Sequence, residues 1–315
     1  MIRILLKKKT FLLAFGIMCF IFAFGFIGST FLFPNPEQVF KEPLWDPEDD
    51  EYCSDPVNRE RDFSRCKQRV RRFEGPSLEH PLGLDDQGRD VLSRLAWATR
   101  HSLEIGIVAS IIITILAIFF GAVGAYTGGI VDDFFQFIVN IFIILPVIPV
   151  LLVLSYFTKD PGFQFIIEGH MLIAVIIAFV NWAWAARSIR SQVLSLKERN
   201  FVNMARVSGM NNLTISITEI LPNMFSYIML VFAMSLGISI GAEAGLSVLG
   251  IGVDINFPTL GTLLYWARVL LSATTYDFTY HVFIPPGLLI TVLFVSIYIV
   301  QQEMDEIFNP RLRKG

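Results

Sequence analysis

Charge is scarce in this chain. Asp, Glu, Lys and Arg make up 17% of its 315 residues, against about 25% in an ordinary soluble domain. A soluble protein of this length needs more polar surface than that, and a bilayer is the solvent that tolerates the deficit. Catalytic signatures are missing too. There is no G-x-x-x-x-G-K-[ST] phosphate loop, so the chain does not itself bind ATP in that way. No H-E-x-x-H, no G-x-S-x-G and no paired intramembrane carboxylates occur, so the chain reads as a non-enzyme for which no cofactor is expected. No basic stripe with interleaved aromatics is present, which argues against a nucleic-acid partner. Any uphill work must then be driven by a partner or by a coupled ion.

Cysteine is also rare, with three in all. Cys19 lies in an apolar run and reads as a lipid- or helix-facing filler. Cys53 and Cys66 lie in a polar loop; if that loop is outside the cell a disulfide is plausible, and the alternative is two free thiols. A metal site is not expected: His80 and His101 are far apart in sequence and no C-x-x-C spacing occurs.

What the chain has in abundance is apolar sequence. Hydrophobic residues make up 54%, 29 of them Phe, and the mean hydropathy is +0.58. About 20 mostly apolar residues cross a bilayer core. Six stretches meet or approach that length, roughly 11–33, 103–126, 134–157, 170–187, 223–246 and 281–301. In lipid each must be helical to satisfy its own backbone, so the expected fold is all-α and polytopic, with six transmembrane helices. The first stretch follows Arg3, Lys7, Lys8 and Lys9, is too long for a signal-peptide core and has no A-x-A cleavage site after it. It reads as an uncleaved helix.

Orientation follows from Lys and Arg in the short loops. With the N-terminus inside, the inner segments carry Arg3, Lys7, Lys8, Lys9, Arg187, Arg190, Lys197, Arg199, Arg206, Arg311, Arg313 and Lys314, whereas the two short outer loops carry only Lys159 and Arg268. Both termini are therefore expected in the cytoplasm. The chain divides into an N-terminus and first helix (1–33), an extracellular lobe (34–102), a five-helix core (103–301) with a cytoplasmic loop at 188–222, and a cytoplasmic tail (302–315). In the lobe, Arg59–Arg72 reads as at least partly helical, and 90–100 as an amphipathic helix lying on the membrane surface, with Val91, Leu92, Leu95 and Ala98 on one face.

The cytoplasmic loop is the most informative segment. A short helix through Phe201-Val202-Asn203-Met204-Ala205-Arg206 ends at Gly209, a second helical stretch follows, and Pro222 marks entry to the fifth span. Phe201, Val202 and Ala205 would be awkward in bare cytoplasm. A partner's groove would explain them, and so would packing on the chain's own bundle. Glu243, in Gly241-Ala242-Glu243-Ala244-Gly245, either lines a cavity as a pathway or gate residue or lies at the outer surface.

These residues resemble the EAA loop of permease subunits of binding-protein-dependent ABC importers, whose pattern is E-A-A, three residues, Gly, and later L-P-N. Ala205, Gly209 and Leu221-Pro222-Asn223 match; Asn203 stands at the Glu position and Met204 at the first Ala position. His80-Pro81-Leu82-Gly83-Leu84-Asp85-Asp86-Gln87-Gly88-Arg89-Asp90-Val91 resembles the HPLGTDxxGRDV signature of the dipeptide/oligopeptide/nickel permease family, second (C-type) subunit. Glu243 to Gly252, Pro285-Pro286-Gly287 and the ending from Asp305 to Arg313 resemble further stretches of the same family. The likeness covers roughly 75–313. It implies the type I ABC importer permease fold in a cytoplasmic (inner) membrane. The implied partners are a homologous second permease, two cytoplasmic ATPases and an extracellular substrate-binding protein. It further implies ATPase contact at Asn203, Ala205, Arg206 and Gly209, with Arg206 facing an acidic group and Asn203 leaving out the usual negative charge. Relatives carry peptides, nickel complexes or oligosaccharides, and the binding protein makes the choice. A stand-alone secondary transporter or channel would need intramembrane charge pairs, and a membrane anchor or sensor would need a signalling domain; neither feature is visible.

Overall fold

In the computed structural model, residues 8–33, 35–43, 68–156, 169–273 and 280–308 are described. The architecture is a helical bundle with a small lobe at one end. α1 (Lys9–Ala23) runs on as a π-helical stretch to Leu32. A two-stranded antiparallel ribbon follows in the lobe, β1 (Lys41–Pro43) against β2 (Gln68–Val70), with Lys41 opposite Val70. The Arg-rich stretch therefore ends in a strand where a helix was expected; its residues 59–67 lie outside the described residues, as do Cys53 and Cys66.

α2 (Val91–Ala117) continues through a π-helical turn to Thr127, a 37-residue rod. At 1.5 Å per residue it is about 55 Å long, well beyond the roughly 30 Å hydrocarbon core. The amphipathic stretch at 90–100 is thus not a separate helix lying on the membrane. It is the first three turns of α2 itself, and its apolar residues are claimed by the bundle: Leu95, Ala96 and Ala98 are all buried.

The third predicted span is broken. α3 (Gly129–Ile144) and α4 (Val147–Tyr156) meet at 85°. The cause is local: Leu145 precedes Pro146, whose ring disfavours helical backbone before it, and Leu145 is extended (φ −62, ψ 130). α5 (Gly169–Lys197), α8 (Phe225–Val248) and α10 (Tyr280–Phe308) are continuous and long enough to span, as are α1 with its π extension and α2. Among the described residues five helices therefore qualify as spans by length and composition, or six if the bent pair is one broken span.

Between α5 and α8 lies a connector: α6 (Asn200–Val207), then α7 (Asn212–Ile215) with its π-helical continuation Ser216–Ile220 and a turn at Leu221–Asn223. α9 (Leu260–Ala273) was not anticipated. Its signal was present in Leu260, Leu263, Leu264 and Ala267, an apolar i, i+3, i+4, i+7 stripe, but at 14 residues it is too short to span.

α2 is the hub, packed along both α5 and α8. One contact is close enough to forbid a side chain: a Cβ on Gly121 would sit 2.4 Å from the Ala186 carbonyl oxygen, so only glycine lets the α2 rod approach α5 there. At the same end of the bundle Arg190 of α5 makes a two-pronged ion pair with Asp132 of α3 (2.9 and 2.7 Å), and Lys8 and Thr10 of α1 bond Glu303 of α10.

Candidate functional site

At the end of the bundle away from the lobe, α6 is the only connector helix of eight residues or more among the described residues between α5 and α8. Its two faces differ. Val202 and Ala205 are buried in the main hydrophobic core, and Phe201 packs against it. Asn203, Met204, Arg206 and Val207 face outward, Met204 being 72% exposed and Val207 88%. The apolar stripe of Phe201, Val202 and Ala205 is thus occupied by the chain's own bundle. Ala205 is among the residues that seat the helix on the bundle.

The helix ends in a Schellman motif. The Gly209 N–H donates to the Arg206 carbonyl (3.0 Å) and the Met210 N–H to that of Ala205 (3.3 Å). Gly209 has φ +79 with open space around its would-be Cβ, so the backbone turn itself demands glycine. Arg206 lies 3.5 Å from the Asn203 Oδ1. No acidic side chain on the chain pairs with Arg206 among the described residues, so its charge is presented outward. Asn223 closes the segment by donating to the Glu219 carbonyl at 2.7 Å.

Glu243 is neither at a surface nor on an open cavity. It is fully buried in α8 and accepts three hydroxyl hydrogen bonds, from Ser102 (3.1 Å), Ser247 (2.8 Å) and Thr259 (2.7 Å). Ser102 in turn accepts the Leu260 N–H at 3.0 Å. One carboxylate therefore ties α8, α2 and the start of α9 together.

The stretch from His80 to Val91 is likewise a structural knot. Asp85 is buried; its Oδ1 accepts the N–H groups of Gln87 and Arg89, and its Oδ2 accepts the side chains of Arg89 and Arg94, all at 2.8–2.9 Å. Asp90 caps α2 through the Ser93 N–H (2.8 Å) while its other oxygen meets His80 Nδ1 (2.8 Å). His281 of α10 reaches the Leu84 carbonyl at 3.2 Å. Burial and the adjacent Asp85 push the Asp86 carboxyl above the usual carboxylate range. The signature fixes the lobe onto the N-terminal ends of α2 and α10, a role that residue spacing alone did not disclose.

The fold and this end-on helix define a multi-pass helical membrane protein with its connector displayed at one face. The chain belongs to the family of binding-protein-dependent transport system inner membrane components, whose pattern matches residues 106–314. It is 27% identical over 243 residues to the oligopeptide transport system permease protein OppC of Mycobacterium bovis, covering 76% of this chain and 80% of the relative. It is 29% identical over 242 residues to the dipeptide transport system permease protein DppC of Alkalihalophilus pseudofirmus (77% and 75%). Against the glutathione transport system permease protein GsiD of Pectobacterium atrosepticum it is 30% identical over 240 residues (76% and 75%). The resemblance read from the motifs is to the same family, the permeases of ABC importers, and to its peptide-transport C-type branch.

Proposed function

We propose that this chain forms half of the translocation pathway of an ATP-driven peptide importer and takes its drive from a cytoplasmic ATPase through α6. Both termini and α6 are then on the inner side of a cell membrane, the lobe is outside facing a substrate-binding protein, and a homologous permease supplies the other half. Catalysis of ATP hydrolysis belongs to the partner subunits. The names of the relatives support peptides as the cargo class, and the Lys and Arg bias of the loops supports the orientation.

One observation carries the coupling: the inward face of α6 is held by the bundle while Asn203, Met204, Arg206 and Val207 stand free of it. An exposed Val and Met beside an Arg with no acidic partner among the described residues form a small amphipathic knob, suited to a groove with apolar walls and an acidic rim. Force on the knob passes to the core through Val202 and Ala205, and to α5 and α8 through the chain itself. The test is Met204→Asp with Val207→Asp in reconstituted vesicles holding all subunits. Membrane insertion and permease pairing should persist, while ATPase retention and uptake fall at least tenfold. Full uptake by the double variant would refute the docking.

A further inference from the structure

Midway along the spans, a cavity of about 230 Å³ opens between α2, α5 and α8, lined by Ile113, Asn181, Trp184, Ser188, Met234 and Ser235 with three further apolar side chains. Asn181 stands 12 residues from Gly169 and 16 from Lys197; Ser235 stands 10 from Phe225 and 13 from Val248. Both are therefore near mid-depth.

We infer that this cavity is the chain's share of the surface that touches cargo in transit, and that it takes the neutral main chain of an extended peptide about three residues at a time. The inference rests on the reading above and adds the site that reading lacks.

Three features point there. The first is geometry. The α5 lining residues fall at 181, 184, 185 and 188 and those of α8 at 231, 234, 235 and 238, the same i, i+3, i+4, i+7 stripe on two facing helices. Seven residues of helix rise about 10 Å, the span of about three residues of extended chain. The second is charge. None of the nine lining residues is ionisable; the Asn181 amide nitrogen donates to the Ile177 carbonyl (2.9 Å) and the Ser188 hydroxyl meets that of Tyr227, so the Asn181 carbonyl oxygen and the Ser235 hydroxyl are the polar groups left for a solute. Uncharged hydrogen-bonding groups match a peptide backbone and tolerate varied side chains, and a surface without a fixed charge does not trap a solute that must also leave. The third is connectivity. The two walls are the two helices that the α6 connector joins, and Ser188 of α5 is hydrogen-bonded to Tyr227 of α8, so displacement of α6 changes the distance between walls already in register.

The test uses the complete transporter in phosphatidylethanolamine–phosphatidylglycerol vesicles, with an isotope-labelled pool of di- to pentapeptides outside and ATP inside. Met234→Trp, at a residue that is 44% exposed, fills the cavity without entering the core. It should cut uptake at least tenfold while hydrolysis stimulated by the loaded binding protein stays within twofold of the parent. A photoreactive p-benzoylphenylalanine at position 238, also exposed, should label peptide during turnover. Uptake unchanged in Met234→Trp, or label found only on the second permease or on lipid, overturns the inference. If the parent transporter imports no peptide from the pool, the functional reading itself fails, and that outcome is separate from either of these.

Discussion

Replacing Gly209 tests the proposed coupling role of α6 through its backbone alone. At φ +79 an L-residue with a side chain costs about 1–2 kcal/mol. Nothing lies within 4 Å of a Cβ there, so no steric term is added. α6 has eight residues, fewer than the roughly 12–15 an isolated helix needs, and so depends on its cap and on the seating of Val202 and Ala205. Gly209→Ala should therefore shift the balance of seated to frayed α6 about tenfold, since 1.4 kcal/mol is a factor of ten. Gly209→Asn, whose residue type visits this conformation more readily, should lose less. Gly209→Pro cannot adopt a positive φ and also removes the N–H that bonds Arg206, so the whole motif is lost. The assay is peptide uptake per ATP hydrolysed in vesicles with all subunits present. The expected order of coupling is Gly, Asn, Ala, Pro, with membrane insertion unchanged throughout. A Pro variant with the parent's uptake-to-hydrolysis ratio would refute the reasoning, because no other conformation of that turn preserves both hydrogen bonds.

Further outcomes follow from the buried polar groups. Glu243→Leu leaves the hydroxyls of Ser102, Ser247 and Thr259 buried without their acceptor, at about 1–3 kcal/mol for a stranded buried group; the thermal midpoint of the purified complex should fall, and Glu243→Gln should fall less. Asp85→Ala strands the buried Arg94, while Arg89 keeps Glu37; a broken buried ion pair costs about 3–5 kcal/mol, and limited proteolysis should then cut the lobe much faster than in the parent. Arg206→Glu reverses the charge of the α6 knob and should weaken ATPase retention in a salt-dependent way, measured by co-purification at low and high ionic strength. Cys53 and Cys66 should resist alkylation until a reductant is added, as mass spectrometry would read directly.

The span count was legible because bilayer thickness sets a length, and that length can be counted along 11–33 or 223–246 without knowing any contact. The break in the third span was also written in the sequence, at Pro146, but a proline alone does not say whether a helix kinks or turns through 85°; that depends on what α3 and α4 each find to pack against. The amphipathic start of α2 was misread for a related reason. An apolar face at Leu95 and Ala98 is required equally by a membrane surface and by a neighbouring helix, and the choice between them is tertiary.

The same ambiguity governs α6, and there it has a functional consequence. Phe201, Val202 and Ala205 form the more obvious apolar stripe, and such a stripe invites assignment to a partner. A short helix joined at both ends to a membrane bundle, however, reaches its own core before it meets another protein, and the larger apolar face is buried there first. What is left for a partner is the lesser face, Met204 and Val207 with Asn203 and Arg206 beside them. The split is also what transmission of force requires. A helix whose whole apolar surface sat in a partner's groove would be free to move with that partner and leave the bundle behind. One that is seated by Val202 and Ala205 and gripped by Met204 and Val207 must carry α5 and α8 with it.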